Sequence, residues 1–250
     1  MSLLLSEPTM NKLVLTEEQR GVLIITLNRP TKKNAINAAM YKSLCEQLTY
    51  ANESAHIHCL LIQGDENCFT AGNDFAESGN EEELSAFDFI EHLATFSKPI
   101  IAAVAGPAVG IGTTLLLQCD MIIAANNSKF ILPFAHLGIC LEAGASLLLP
   151  LKVGLNRAFE LAVLGAPFTA EQAYQYGIVN QVCQPTEVIA KALNVAQTIA
   201  KLPADSVQTS RRLMRQSTDK LMLDVINSEK SEVTRLLKTE YCQTMLTKFS

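Results

Sequence analysis

Residues Ala102–Leu117 read Ala-Ala-Val-Ala-Gly-Pro-Ala-Val-Gly-Ile-Gly-Thr-Thr-Leu-Leu-Leu. The stretch opens inside an apolar run of strand character, Ile100–Val104. It turns at Gly106-Pro107, passes Gly110-Ile111-Gly112 and continues as an apolar segment that reads as a buried helix. A strand–turn–helix junction aims unpaired backbone N–H groups, at the positive end of the helix dipole, at whatever stands before it. Glycines there let a ligand approach the main chain closely. An oxyanion or a phosphate fits such a place; a glycine at a tight turn also serves simply as a turn.

Outward from this junction, strands and helices alternate up to about residue 150 and helices dominate afterwards. Leu13–Leu15 and Val22–Leu27 read as a hairpin around Glu17–Gly21. Asn37 is placed to cap a helix with Met40, Leu44, Leu48 and Ala51 at helical spacing. His58–Gln63 is a buried strand. The acidic stretch Ser78–Glu83 introduces a helix with Leu84, Phe87, Leu93 and Phe96 on its apolar side, ended by Lys98-Pro99. Asp120–Ala125 and Lys129–Leu132 are two further strands. Helices are expected at Asn156–Leu164, Thr169–Tyr176, Glu187–Lys201, Ala204–Gln216 and Lys220–Leu246, with a capping box from Thr169 and Gln172 and a stop at Gly177. No Ser/Pro/Gly linker divides the chain, so one core (10–200) with a helical tail (201–250) is expected. The recurring strand–loop–helix units suit either a spiral or a doubly wound parallel sheet, and periodicity does not choose between them.

The 250 residues suffice for a large buried core, and 48% of them are hydrophobic. A net charge of −5 without a basic stripe argues against nucleic acid as a partner. The seven cysteines are scattered and mostly set among apolar neighbours, the pattern of core thiols in a reducing compartment rather than of a zinc site or a disulfide framework. The four histidines show no metal spacing. Apolar runs are too short to span a membrane, and the first ten residues lack a basic n-region, so a cytoplasmic location is expected.

Two loops place small residues after a buried strand: Ala71-Gly72-Asn73-Asp74 and Gly110-Ile111-Gly112. If their N–H groups converge, they form a two-donor oxyanion hole for a carbonyl that gains negative charge; Asn73-Asp74 also reads as an ordinary turn and helix cap. A bulky residue at Ala71 or Gly72 is then expected to weaken binding by blocking the approach to the main chain. Glu142 lies among small and apolar residues in Leu137–Ser146. Burial there would raise its pKa and make it a base near neutrality; a glutamate at a helix start facing solvent is the other reading.

Taken together, these loops resemble the enoyl-CoA hydratase/isomerase (crotonase) superfamily over nearly the whole chain from Leu13. The landmarks are Asn28-Arg29-Pro30 with Asn34-Ala35-Ile36, Phe69–Asp74, Lys98–Val104 with Gly106, Cys119-Asp120, and Pro133 followed by Leu137-Gly138. The resemblance implies an α/β fold, a crotonase-like spiral of strand–strand–helix units whose C-terminal helical region builds trimers, often paired into hexamers. It implies an acyl-CoA thioester substrate, no separate cofactor and no metal. The oxyanion donors then fall at Asn73 and Ile111. Lys33, Ala35, Ile36, Ala71, Asp74 and Phe75 would line the CoA, Gly72 and Gly110 would lie against the ligand, and Lys32, Lys33 or a C-terminal lysine would meet its phosphates. Hydratases of this family carry two glutamates where this chain has Thr114 and Phe134, and glycine where it has Glu142. That departure is similar to peroxisomal-type Δ3,Δ2-enoyl-CoA isomerases, whose one-base chemistry would use Glu142 in an apolar lining of Phe134, Leu137 and Leu141. Other crotonase reactions and a non-catalytic acyl-CoA-binding protein are the alternatives.

Overall fold

The structure, a computed structural model, describes residues 12–75 and 80–248, with side chains described outside 80–83. The acidic helix start read at Ser78–Glu83 therefore lies outside the described residues in its backbone at 78–79 and in its side chains at 80–83.

The chain begins with a hairpin of β1 (Val14–Gln19) and β2 (Val22–Leu27), paired antiparallel. Its turn is shorter than the sequence suggests. Only Arg20 and Gly21 lie outside the ladder, with φ of 50° and 80°, the left-handed pair that matches strand twist. Glu17–Gln19 belong to β1 because the strand lies at the edge of the sheet and exposes most of its side chains, so it needs no apolar run.

Then follow α1 (Ala38–Glu53), β3 (Cys59–Gln63), α2 (Asn80–Thr95), β4 (Ile100–Val104), β5 (Pro107–Val109), α3 (Ile111–Gln118), β6 (Met121–Ala125), β7 (Lys129–Ile131) and α4 (Phe134–Leu137). Asn37 caps α1 by accepting the Met40 N–H at 3.1 Å, and Met40, Leu44, Leu48 and Ala51 are buried as their spacing predicts. On α2, Phe87 and Leu93 are buried and so is Phe96 just beyond it, but Leu84 is exposed. α5 (Ala145–Val153) leads through α6 (Leu155–Phe159) and a π-helical turn, Glu160–Leu164, to β8 (Phe168–Thr169), α7 (Ala170–Gln175), β9 (Gln181–Cys183) and α8 (Pro185–Ala200). The Thr169–Gln172 capping box forms. β5, β8 and β9 have three residues or fewer, too short to show alternation, and Pro107 opens a strand where the sequence suggested only a turn.

The two C-terminal helices expected at Ala204–Gln216 and Lys220–Leu246 are divided differently. α9 runs unbroken over Ala204–Leu237, and the break falls before α10 (Glu240–Leu246), which Thr239 caps. The polar stretch that suggested an end at Gln216 continues the helix, with Arg215 paired to Asp219 one turn on.

β1-β2-β3-β4-β6-β9 form one sheet, parallel from β2 onward, and β5-β7-β8 a smaller one. Both faces of the larger sheet are buried, which is why its central strands are continuously apolar. α8 covers one face through Val188, Ala192 and Ala196. The other face belongs to the main core, which α9 joins through Met222, Ile226 and Val233. Short parallel bridges, Ile36 to Asn73 and Thr70 to Ala108, set the loop after each large-sheet strand against the next one.

Candidate active site

Asn34 fixes the first of these loops. It sits at φ 54°, buried, with its side-chain amide donating to the Cys68 and Phe69 carbonyls at 3.1 Å. The Thr70 hydroxyl donates back to the Asn34 carbonyl at 2.6 Å. Ile36 N–H bonds the Gly72 carbonyl and Asp74 N–H bonds the Ile36 carbonyl, so the Asn73 amide between them points away from that ladder. On the other side, Val109 N–H bonds the Thr70 carbonyl. The loops ending at Asn73 and at Ile111 therefore run side by side. Neither the Asn73 nor the Ile111 N–H has an acceptor among the described residues.

Glycine is required here for two different reasons. A Cβ on Gly72, at φ 94°, would stand 2.7 Å from the Val109 carbonyl oxygen. A larger residue at Gly72 would thus separate the two loops, rather than merely obstruct a ligand as the sequence suggested. Gly110, at φ 55° and ψ −117°, has nothing within 4 Å of the Cβ position. Its requirement is conformational, and the space before it is open.

Glu142 is buried, not solvent-facing: 4% of its surface is exposed, and Oε1 has no hydrogen-bond partner among the described residues. Burial first, and the charge of Glu229 second, push its pKa up to about 8. Such a carboxyl is poised as a proton acceptor near neutrality. Two residues in left-handed backbone follow it, Ala143 at φ 63° and Gly144 at φ 73°.

Tyr41 connects base and loop. Its hydroxyl donates to Asn73 Oδ1, and the Glu142 charge is the second cause, after burial, of a phenol pKa well above its usual value. Gln118, the last residue of the helix that Ile111 begins, donates to the Ala143 carbonyl at 2.9 Å. Tyr41 thus links the Asn73 loop to the surroundings of Glu142, and Gln118 ties the C-terminal end of α3 to the turn after it.

Of the residues expected to meet substrate, Lys33 is exposed, while Ala35, Ala71 and Phe75 are half-buried around the first loop. Ile36 points into the main core, so what it offers the site is its backbone bridge to Asn73. Asp74 is buried in an ion pair with Arg29, which fastens the loop. Phe134 and Leu137 are buried, with Leu141 packed beside them, and Thr114 is buried with its hydroxyl directed to the Gly110 carbonyl. All seven cysteines are free thiols, and no cluster able to hold a metal occurs among the described residues. Nor is any described helix long and apolar enough to cross a membrane.

Tyr41, Gln118 and Glu229 were not read as site residues. Glu229 did carry a signal, because it falls in step with the apolar stripe Met222, Ile226 and Val233.

This α/β protein thus offers two backbone donors without an acceptor among the described residues and one buried, high-pKa carboxyl, groups able to hold an oxyanion and to accept a proton. The profile of the enoyl-CoA hydratase/isomerase family matches residues 17–250, and the chain belongs to that family. It is 34% identical to the 2,3-dehydroadipyl-CoA hydratase of Escherichia coli strain K12, over 92% of each chain. It is 32% identical to enoyl-CoA delta isomerase 2 of Rattus norvegicus, over 90% of this chain and 60% of the other. The crystal structure of an enoyl-CoA hydratase/isomerase from Pseudoalteromonas atlantica T6c superposes with a TM-score of 0.90 at 33% identity, over 95% of this chain and 96% of that one.

Proposed function

We propose that this enzyme moves the double bond of a 3-enoyl-CoA from C3 to C2. The Asn73 and Ile111 amides hold the thioester oxygen. Glu142, as the carboxylate, takes a proton from C2; the electrons pass into the dienolate, and the same carboxyl returns the proton at C4. One base suffices, since no water is added and no other reactant is consumed. The observation that carries this reading is Glu142 itself, buried with an unpartnered oxygen, while Thr114 and Phe134 stand where the resemblance places the two carboxylates of a hydratase. Phe134, Leu137 and Leu141 keep water from the base. Lys33 and the half-buried residues around it are proposed to meet the CoA. We read the successive strand–bridge–helix units as turns of one spiral. The exposed Leu151, Leu155, Phe159 and Leu164 support burial between copies in a trimer.

The direct test is trans-3-hexenoyl-CoA, followed by the absorbance of the conjugated thioester, beside hydration of the 2-enoyl ester. Isomerisation that clearly exceeds hydration is expected. Rapid hydration with no isomerisation would overturn the reading.

The pH profile follows from the same carboxyl. Glu142 must be ionised to accept the C2 proton, so kcat/KM is expected to rise with pH and level off above about 8. An acid limb near the ordinary carboxylate range, about 4.3 for a free glutamate, would show that the base is not held in this state.

A further inference from the structure

Helix α9 turns Met222, Ile226, Glu229 and Val233 inward, and all four are buried. Three are apolar. A carboxylate in such a stripe must find partners, and Glu229 finds them in backbone. Oε2 accepts the Gly144 N–H at 2.7 Å and Oε1 accepts the Ser146 N–H at 2.8 Å. These amides open helix α5, so the carboxylate also lies at the positive end of a helix dipole.

The segment gripped in this way does not hold itself. Ala143 is left-handed although it has a Cβ, and Gly144 is left-handed after it. Gln118 takes the Ala143 carbonyl from one side, with its own Oε1 held by Arg215 of α9 at 3.0 Å. Met222 closes the other side, its sulfur 2.4 Å from where a Cβ on Gly144 would stand. Glu142 is the residue immediately before this double turn.

We propose that Glu229 is a positioning residue for Glu142: the C-terminal helix reaches the back of the active site and, by clamping the turn at Ala143–Gly144, sets the direction of the Glu142 carboxyl. This rests on the reading of Glu142 as the base. The clamp has an electrostatic side too. The ionisable groups facing Glu142 are Tyr41 from α1, Cys140 from its own loop and Glu229 from α9. Tyr41 and Cys140 are neutral, their own pKa values raised by burial, so the negative charge that disfavours ionised Glu142 is that of Glu229. Burial raises the pKa of Glu229 as well, and its two amide bonds pull it back toward the charged form.

Two variants separate geometry from charge. In Glu229→Gln the side-chain amide accepts one backbone N–H and faces the other with a donor, and the negative charge is gone. In Glu229→Asp the charge stays but the reach is one methylene short. For both, kcat on trans-3-hexenoyl-CoA is expected to fall about 10- to 100-fold, with KM within about threefold. The Glu142 titration midpoint, followed by carboxyl-carbon NMR, should move to lower pH in Glu229→Gln and stay near wild type in Glu229→Asp. Wild-type kcat in both variants, or an unmoved midpoint in Glu229→Gln, overturns the proposal. If Glu229→Gln does not fold, Glu229→Asp decides through kcat alone. If the wild type shows no isomerase activity, the base reading fails, and the NMR midpoint still reports whether Glu229 acts on Glu142.

Discussion

Glu142→Gln is expected to lower the isomerisation rate at least about 10²- to 10⁴-fold, the range attributed to a general base, and to leave the dissociation constant of an acyl-CoA within several-fold. The amide keeps the shape of the side chain but cannot accept a proton from C2. The Asn73 and Ile111 donors belong to other loops and are untouched. Single-turnover kinetics beside equilibrium binding distinguish the two quantities. Near-full activity in the variant would remove Glu142 from the mechanism. A sign prediction in stability accompanies the loss of rate. With its folded pKa raised to about 8, Glu142 binds a proton in the native state that the unfolded chain has already released above its ordinary pKa of about 4.3. Its contribution is thus fully present below that lower value and is lost as pH rises toward about 8. Between the two limits the wild type should lose stability relative to Glu142→Gln by at most about 1.4 kcal/mol per pH unit, and no further above them. Chemical denaturation at several pH values between 5 and 9 reads this directly. A constant gap would mean that the carboxyl is not held neutral.

The residues that could be read from sequence are those whose role is written locally. Asn37 announces its helix by standing three residues before the first residue of an apolar stripe, and Thr169 with Gln172 announces another. Gly72 and Gly110 mark the two loops because few other residues tolerate their backbone. Glu142 was legible only as a choice between two states. What decides between them is long-range: α9, beginning more than sixty residues later, brings Glu229 against the turn beyond Glu142, and α1 brings Tyr41 from a hundred residues earlier. Asp74 shows the same reach: it stands beside Asn73 in sequence, its partner Arg29 lies in a different loop, and the pair ties the two loops together. The short strands β5, β8 and β9 were missed because they exist through pairing, with too few residues to carry a pattern of their own.

Gly110→Ala gives the second large effect, expected to cost about 10²- to 10³-fold in kcat, the loss associated with one oxyanion donor. The argument is not steric, because nothing lies within 4 Å of the new Cβ. At φ 55° and ψ −117° the backbone occupies a mirror-strand region that an L-residue with a Cβ resists. The carbonyl of Gly110 accepts the Thr113 and Thr114 amides at 2.8 and 3.0 Å, and its N–H bonds the Ile131 carbonyl at 2.9 Å. Relief of the strain would change ψ of Gly110, which rotates the peptide that links Gly110 to Ile111 against the Thr113 and Thr114 bonds and turns the Ile111 N–H with it. Gly154 provides the control. It too has positive φ and open space at its Cβ, at 79°, but it joins α5 to α6 outside the site. Gly154→Ala should therefore lower the melting temperature and leave kcat alone, whereas Gly110→Ala should lower both. Equal losses of stability with wild-type kcat in both variants would show that the Ile111 amide does not hold the developing oxyanion.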